Sequence, residues 1–381
     1  MKYQLSRRLR HFLERDVPAR GTQAGLGFAV GSLRGPFRDD NQDRAMIANV
    51  VDKAGASALI GIVCDGLGGM ISGGLAASIA TSVMLAEVVS RIGSINRSSL
   101  LAAVQEANSA VYREFRGNGG ATLTVLICLD NGDNWVIHVG DSRLYSISEK
   151  SELKLLTRDD TVSGIAQNFD GDEDLLDNRL LQFVGVGDDI EPHIFEAKRE
   201  HNKGFLLTSD GAHGLGRKAL ESIVLNTSKP ADWIRRIIYV SDALSATDNA
   251  TALAICKDDF KNDDNFNEGN TLKLWTANDT LELWLQGDVK SGSGIAVESS
   301  NLSLDDRVRV GQDQEASSFQ PKSKPKSKPK SKPKPKPKLK PKARSQKRKS
   351  ESHQDVADMA ESATRPQLSI KFGSESGDTD D

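Results

Sequence analysis

The sequence predicts an α+β domain followed by a low-complexity tail, on three observations. Strand-like runs of Val, Ile, Thr and Leu come in groups, a pair of helical blocks is laid against them, and Pro-Lys repeats fill 321–342. Runs grouped in this way suit helices packed on a sheet. The chain has 381 residues, enough to bury a sizeable core.

Taken in order, Met1 to Arg10 opens an N-terminal basic amphipathic helix within 1–20, too polar for the apolar region of a signal peptide. Leu26 to Leu33 reads as a strand, and Arg34-Gly35-Pro36-Phe37 turns the chain into Arg38-Asp39-Asp40-Asn41-Gln42-Asp43. Arg44 to Val50 and Ala58 to Cys64 are further strands. Helical periodicity runs from Gly74 to near Ile92 and from near Ser98 to Arg116, where Leu101, Val104, Ala107, Val111 and Phe115 recur at spacing three or four.

Strands return over Ala121–Leu129, Trp135–Val139 and Leu144–Ile147, the first two joined by the hairpin signal Asp130-Asn131-Gly132-Asp133. Residues 156–180 are polar, acidic and poorly periodic, as expected of a mobile flap beside a site. A strand from Gly204 ends on Ser209-Asp210-Gly211. Helices near Lys218–Leu225 and Ala231–Ala243 follow, and Asp248-Asn249 leads the last strand to Cys256.

The core domain is thus expected over 21–258. In 259–290, Thr271-Leu272-Lys273-Leu274-Trp275 and Thr280-Leu281-Glu282-Leu283-Trp284 are near copies, expected to pair as a β-hairpin docked on the main domain, since a lone hairpin is marginal in water. A polar linker, 291–320, precedes a disordered Pro/Lys-rich tract, 321–349, and an acidic tail, 350–381. The 22 residues of the 321–342 repeats, extended at about 3.1 Å each, could reach roughly 70 Å.

Charge is partitioned along the chain. The net charge is -3, yet 321–349 carries 15 Lys or Arg and no acid, and 350–381 carries 8 acids against 2 bases, so the first 320 residues stand at -12. An acidic folded part suits a cation-binding enzyme. The basic tract reads as a solvated spacer or as an electrostatic tether to a polyanion or an acidic protein. It has no interleaved aromatic to read bases. No apolar run is long enough for a membrane span, and the three cysteines, Cys64, Cys128 and Cys256, lie in apolar segments as expected of buried thiols in a cytoplasmic protein.

Ile62 to Met70 is the stretch around which the rest is organised: an apolar run ends in Asp65 and then Gly66, Gly68 and Gly69. An aspartate at the head of a glycine-rich loop repels phosphate, and the Gly-x-Gly-x-x-Gly spacing fails at Ile71. Two readings stay open there, a hard-cation ligand and a plain turn with a capping aspartate. Asp43, Asp65, Asp141, Asp210 and Asp248 all lie at strand ends or turns. Brought together they would repel one another unless cations lay between them, and oxygen ligands favour Mg²⁺ or Mn²⁺.

Arg38-Asp39-Asp40-Asn41-Gln42-Asp43, Asp65-Gly66-Leu67-Gly68-Gly69, Gly120-Ala121-Thr122, Val139-Gly140-Asp141-Ser142-Arg143, Leu156-Thr157-Arg158-Asp159, Ser209-Asp210-Gly211 and Asp248-Asn249-Ala250-Thr251 resemble, in order and spacing, the motifs of the metal-dependent type 2C (PPM) serine/threonine protein phosphatases, bacterial branch. The match runs from about Gly25 to Lys257. It implies a four-layer α-β-β-α sandwich of two antiparallel sheets flanked by helices, with two metal ions, Mn²⁺ or Mg²⁺, at one end. Asp65 would bridge the ions, the Gly66 carbonyl would bind one, Asp210 and Asp248 would hold the other, and Asp43 would ligate or accept from bound water. Asp141 matches a third-metal position and Arg38 a phosphate clamp. The implied activity is hydrolysis of phosphoserine and phosphothreonine on proteins, opposing a Ser/Thr kinase.

Three positions depart from the pattern. Leu67 stands where many eukaryotic members have a histidine proposed as general acid, Asp160 where a histidine usually follows the Leu-Thr-x-Asp motif, and 161–180 is short and acidic for a flap. His213 reads as a surface or packing residue. The altered flap keeps open a second function class, a catalytically weak phosphatase-fold module that binds or scaffolds through its basic tail.

Overall fold

The computed structural model describes residues 2–15, 17–67, 70, 72–166, 179–188, 190–197, 202–244, 247–256 and 270–285. The linker, basic tract and acidic tail expected over 291–381 lie outside the described residues. Helix α1 (Lys2–Arg15) is followed by strands β1 (Arg20–Gly25), β2 (Phe28–Leu33), β3 (Arg44–Val51) and β4 (Ser57–Cys64), then α2 (Gly73–Val89) and α3 (Arg97–Phe115). Strands β5 (Leu123–Leu129), β6 (Asn134–Val139), β7 (Arg143–Ser148) and β8 (Leu153–Leu155) come next. After α4 (Val162–Ala166) come β9 (His193–Glu196) and β10 (Asn202–Thr208), and then α5 (Asp210–His213), α6 (Arg217–Leu225) and α7 (Pro230–Ala243). Strands β11 (Ala250–Cys256), β12 (Thr271–Trp275) and β13 (Thr280–Trp284) complete the described chain.

Two antiparallel sheets result, one ordered β1-β2-β11-β10-β7-β8 and the other β13-β12-β3-β4-β5-β6-β9. Their facing surfaces interdigitate through Phe28, Val30, Ile47, Leu59, Leu126, Phe205 and Leu253. Helices α1, α2 and α3 cover the outer face of the second sheet, and α6 and α7 cover that of the first around the fully buried Trp233. This is the expected four-layer α-β-β-α sandwich. Strands β3, β4 and β5 are apolar on both faces because both faces are covered, which is why they read as continuous runs.

Local chemistry explains the helices. In α1, Leu5, Leu9 and Leu13 recur every fourth residue and are buried, leaving the basic residues on the outer side. Helix α2 is buried nearly all round, and Ala76, Ala77 and Ala80 allow its close packing. Helix α3 starts with a capping box in which Asn96 and Ser99 each accept from the other's backbone amide.

Three expectations need correction. The strand read over Leu26–Leu33 is the second half of a hairpin, β1 and β2, turning at Gly27, whose φ is 74°. The first strand, Arg-Gly-Thr-Gln-Ala-Gly, is a mostly polar edge and carries no apolar signal. Strand β9 was missed because four residues are too few for a pattern. The start of the flap is built into the domain: Leu144 N donates to Thr157 Oγ1 (3.0 Å), Asp160 N to Gly140 O (2.7 Å), and Thr157, Asp160 and Thr161 are buried.

The repeat around Trp275 and Trp284 forms the β12–β13 hairpin, and β12 pairs with β3 to extend the second sheet. Trp275 packs on Phe28 at 4.6 Å between ring centres, and Thr280 Oγ1 donates to Gln23 Oε1 of β1 (3.2 Å). The hairpin therefore joins the edges of both sheets. Cys64 and Cys256 are buried and Cys128 is half-buried, and burial pushes the Cys64 thiol up to about 12. Among the described residues no helix is long and apolar enough to cross a membrane.

Candidate metal centre

Strand register gathers the aspartates. In the β3–β4 pair Arg44 faces Cys64, so Asp43, one residue before β3, and Asp65, one residue after β4, lie at the same end of the sheet. In the other sheet Thr208 of β10 faces both Ala252 of β11 and Arg143 of β7. Asp210 leaves β10, Asp248 precedes β11 and Asp141 precedes β7, all at that sheet's corresponding end. Gly35 lies against Asp248 so closely that a Cβ there would stand 2.6 Å from the Asp248 carbonyl carbon.

Fixed hydrogen bonds hold each group. Asp43 is buried, its amide donates to Asn41 Oδ1 (3.1 Å), and its Oδ2 accepts from Ser209 Oγ (2.9 Å). Ser209 Oγ in turn accepts from Thr251 N (3.0 Å). The Asp65 amide donates to Thr122 Oγ1 (2.9 Å) and its carbonyl accepts from Thr122 N (2.8 Å). Gly66 and Gly73 touch backbone to backbone: a Cβ on Gly66 would be 2.3 Å from the Gly73 carbonyl carbon, so only glycine fits the turn.

The electrostatics are strained. Burial first, and then the facing carboxylates of Asp43, Asp210, Asp141 and Asp248, hold Asp65 well above the usual carboxylate range. Burial pushes Asp43 up to about 6 and Asp141 up to about 7, with Asp210 adding to both. Asp210 is itself raised by burial and by Asp248. Asp43 Oδ1 and Asp210 Oδ1 are buried without a hydrogen-bond partner. Among the described residues no three acidic, imidazole or thiol side chains are gathered tightly enough to encircle an ion unaided. The fit to cations lies in the charge and in the orphaned oxygens: hard oxygen donors that repel one another, two of them lacking any donor of their own.

Arg38 reaches into this centre and is hydrogen-bonded to Asp248 Oδ2, while the other oxygen, Oδ1, accepts from Asn249 N (2.7 Å). The Asp248 contact is also the main cause that raises the guanidinium's pKa. Arg38, Asp43, Asp65, Gly66, Asp141, Asp210 and Asp248 thus all adjoin one region, as the motif order implies. His213 stands apart from that role. Its Nδ1 meets Thr208 Oγ1 at 3.3 Å, and burial lowers its pKa to about 3, keeping the ring neutral.

Sequence reading missed the supports. Arg44, next to Asp43, is a buried strut whose Nη1 donates to the carbonyls of Asn41 and Asp43 (both 2.8 Å) and whose Nε donates to Ser78 Oγ (2.9 Å). Arg143 grips Asp159 through Nε and Nη2 (3.0 and 2.7 Å) just beyond Asp141. Asp160, in the position where the family usually has histidine, accepts from Gly140 N (2.9 Å) through Oδ2 and meets His193 Nε2 of β9 at 2.7 Å through Oδ1. The chain therefore brings an imidazole to this place from a different strand. Adjacency to the motifs was a signal for Arg44 and Arg143; nothing in the sequence linked His193 to Asp160.

No family model matches the chain. A putative protein phosphatase of Mycoplasma genitalium is 24% identical over 246 residues, 59% of this chain and 92% of that protein. Among solved structures, the PPM Ser-Thr phosphatase MsPP of Mycobacterium smegmatis, crystallised with cacodylate, is 26% identical with a TM-score of 0.50, over 61% of this chain and 99% of its own. The serine/threonine phosphatase Stp1 of Staphylococcus aureus shares the fold at 18% identity and a TM-score of 0.53, over 62% and 96%. The two helix-covered antiparallel sheets match the fold of these serine/threonine phosphatases, which are hydrolases. In fold and motif order the chain is similar to the bacterial PPM serine/threonine protein phosphatases.

Proposed function

We propose that this chain removes phosphate from phosphoserine and phosphothreonine of proteins at the Asp43–Asp65–Asp141–Asp210–Asp248 centre, opposing a Ser/Thr kinase. The observation that carries the reading is the convergence of buried, mutually repelling carboxylates with one arginine reaching in. Asp65, the Gly66 carbonyl, Asp210 and Asp248 are the residues that would hold two Mn²⁺ or Mg²⁺ ions, with Asp43 beside them and Asp141, sharing Asp210, at a third position. When bound, such ions supply Lewis acidity that makes water a nucleophile at neutral pH.

The chain's own groups do the rest. Arg38 offers a planar fork that matches two phosphate oxygens, with its Nη2 donating to Asp248. Ser209 and Thr122 orient Asp43 and the Asp65 backbone, and Arg44 braces the turn below them. Leu67 brings no proton donor, so the departing serine or threonine oxygen takes its proton from water or from another side chain. The basic tract at 321–349, outside the described residues, is proposed as a tether to polyanions or acidic protein partners.

Phosphate release from a phosphothreonine peptide tests the reading. Turnover that needs Mn²⁺, stops with chelator and is lost in Asp65→Asn is the expected result. A folded chain with no turnover under any of these conditions would instead be the binding or scaffold module.

A further inference from the structure

Phe37 has the most exposed of the large apolar side chains among the described residues, at 78%. A lone apolar group on a surface is ordinary; its position makes this one different. It stands between Pro36 and Arg38, on a turn fastened over the acidic centre. Gly35 N donates to Asn249 Oδ1 (3.1 Å), Arg38 N to Gly35 O (3.1 Å), and Arg34 Nη1 to Asp39 O (3.0 Å). Gly35 itself is wedged against Asp248, and Pro36 restricts the backbone beside the ring. Held by both flanks, the turn keeps the Phe37 ring in water one residue from the guanidinium that faces the centre.

We propose that Phe37 is a specificity-determining residue, an apolar platform for the side chain next to the phosphoresidue of a protein substrate. The inference rests on the phosphatase reading and deepens it. Neighbouring Cα atoms in any chain are about 3.8 Å apart. A peptide whose phosphate lies on Arg38 would carry its flanking residue past the turn that presents Phe37. An apolar flanking side chain covers the ring and removes both surfaces from water, whereas a small polar one leaves the ring wet. The preference is for substrates with a large apolar residue beside the phosphothreonine or phosphoserine.

The test compares two phosphothreonine peptides that differ only in the residues beside the phosphothreonine, leucine in one and serine in the other, with Mn²⁺ and the full chain. The wild-type chain is expected to show the lower KM on the leucine peptide. Phe37→Ala is expected to raise that KM about five- to tenfold with kcat unchanged, leaving the serine peptide unaffected. Phe37→Tyr is expected to retain the preference. The exposed ring supports no core contact, so both variants should melt with the wild type. Equal KM values on both peptides for the wild type, or equal changes on both in Phe37→Ala, overturn the inference while leaving the phosphatase reading in place. Absence of turnover of either peptide by the wild type overturns that reading and this inference with it.

Discussion

Arg38 is bound to one oxygen of the Asp248 carboxylate while Asn249 N donates to the other at 2.7 Å, so both oxygens of a proposed metal ligand are engaged by the chain. The same guanidinium neutralises part of a centre in which Asp65, Asp43 and Asp210 repel one another. A cation held by Asp248 would compete with Arg38 for that carboxylate and would leave the guanidinium for phosphate.

Arg38→Gln is therefore expected to act in opposite directions on two measurements. Mn²⁺ affinity by calorimetry should tighten about tenfold, because the competitor and its positive charge are gone. Phosphopeptide kcat/KM should fall about 100-fold with the clamp. Weaker Mn²⁺ binding in the variant would mean that Arg38 helps to build the metal site rather than competing for it.

Asp65→Asn should separate stability from function. The carboxylate of Asp65 is held well above its ordinary range by burial and by its acidic neighbours, so the neutral amide relieves repulsion. In chelator the variant should melt a few degrees higher than the wild type, since ~1 kcal/mol corresponds to about 2–4 °C for a domain of this size. Added Mn²⁺ should raise the wild-type Tm and leave the variant's almost unmoved. A lower Tm for the variant in chelator would contradict the repulsion argument.

The His193–Asp160 pair makes a pH-dependent contribution of known sign. The hydrogen bond to Asp160 raises the His193 pKa above its ordinary value of about 6.5. The native state thus binds the proton more tightly than the unfolded chain does, and the pair's stabilisation is complete below about pH 6.5 and lost as pH rises through the raised value. His193 is nearly half exposed, so solvent screening keeps the contribution small. The NMR titration of the His193 ring should report the raised pKa, and Asp160→Asn should return it toward the ordinary value.

Gly66→Ala should damage the loop without touching a charged group. The added methyl would lie 2.3 Å from the Gly73 carbonyl carbon and 2.9 Å from the Gln42 carbonyl oxygen, both backbone atoms that have little freedom to move. Overpacking of this kind costs about 1–3 kcal/mol and displaces the Gly66 carbonyl. The expected outcome is a lowered Tm together with loss of Mn²⁺-induced stabilisation, checked by thermal melts with and without the ion.

Where a segment's own chemistry dictated its place, the sequence was legible. The continuous apolar runs of β3, β4 and β5, the leucine stripe of α1 and the copied Trp segments each name their element, because burial on one or both faces selects those residues. Strand β1 was invisible, since a polar edge strand obtains its place from pairing with β2 rather than from side chains. The supports of the centre were hidden for a related reason. Ser209 on Asp43, Thr122 on Asp65 and His193 on Asp160 join residues 166, 57 and 33 positions apart, and a hydroxyl or an imidazole in a sequence carries no sign of its distant partner.

The sequence by itself supplied the candidate residues: aspartates at strand ends, a glycine-rich turn after Asp65, and one arginine before the first of them. Tertiary structure alone decided that those strand ends meet, because the antiparallel registers of two sheets align Asp43 with Asp65 and bring Asp141, Asp210 and Asp248 to the matching end. It also decided that Arg38 rests on Asp248 and that Phe37 stands out beside it, since both follow from a turn fastened to the start of β11. Periodicity reports burial, a property each segment carries locally; convergence depends on register between segments far apart in the chain, which only the packed sheets establish.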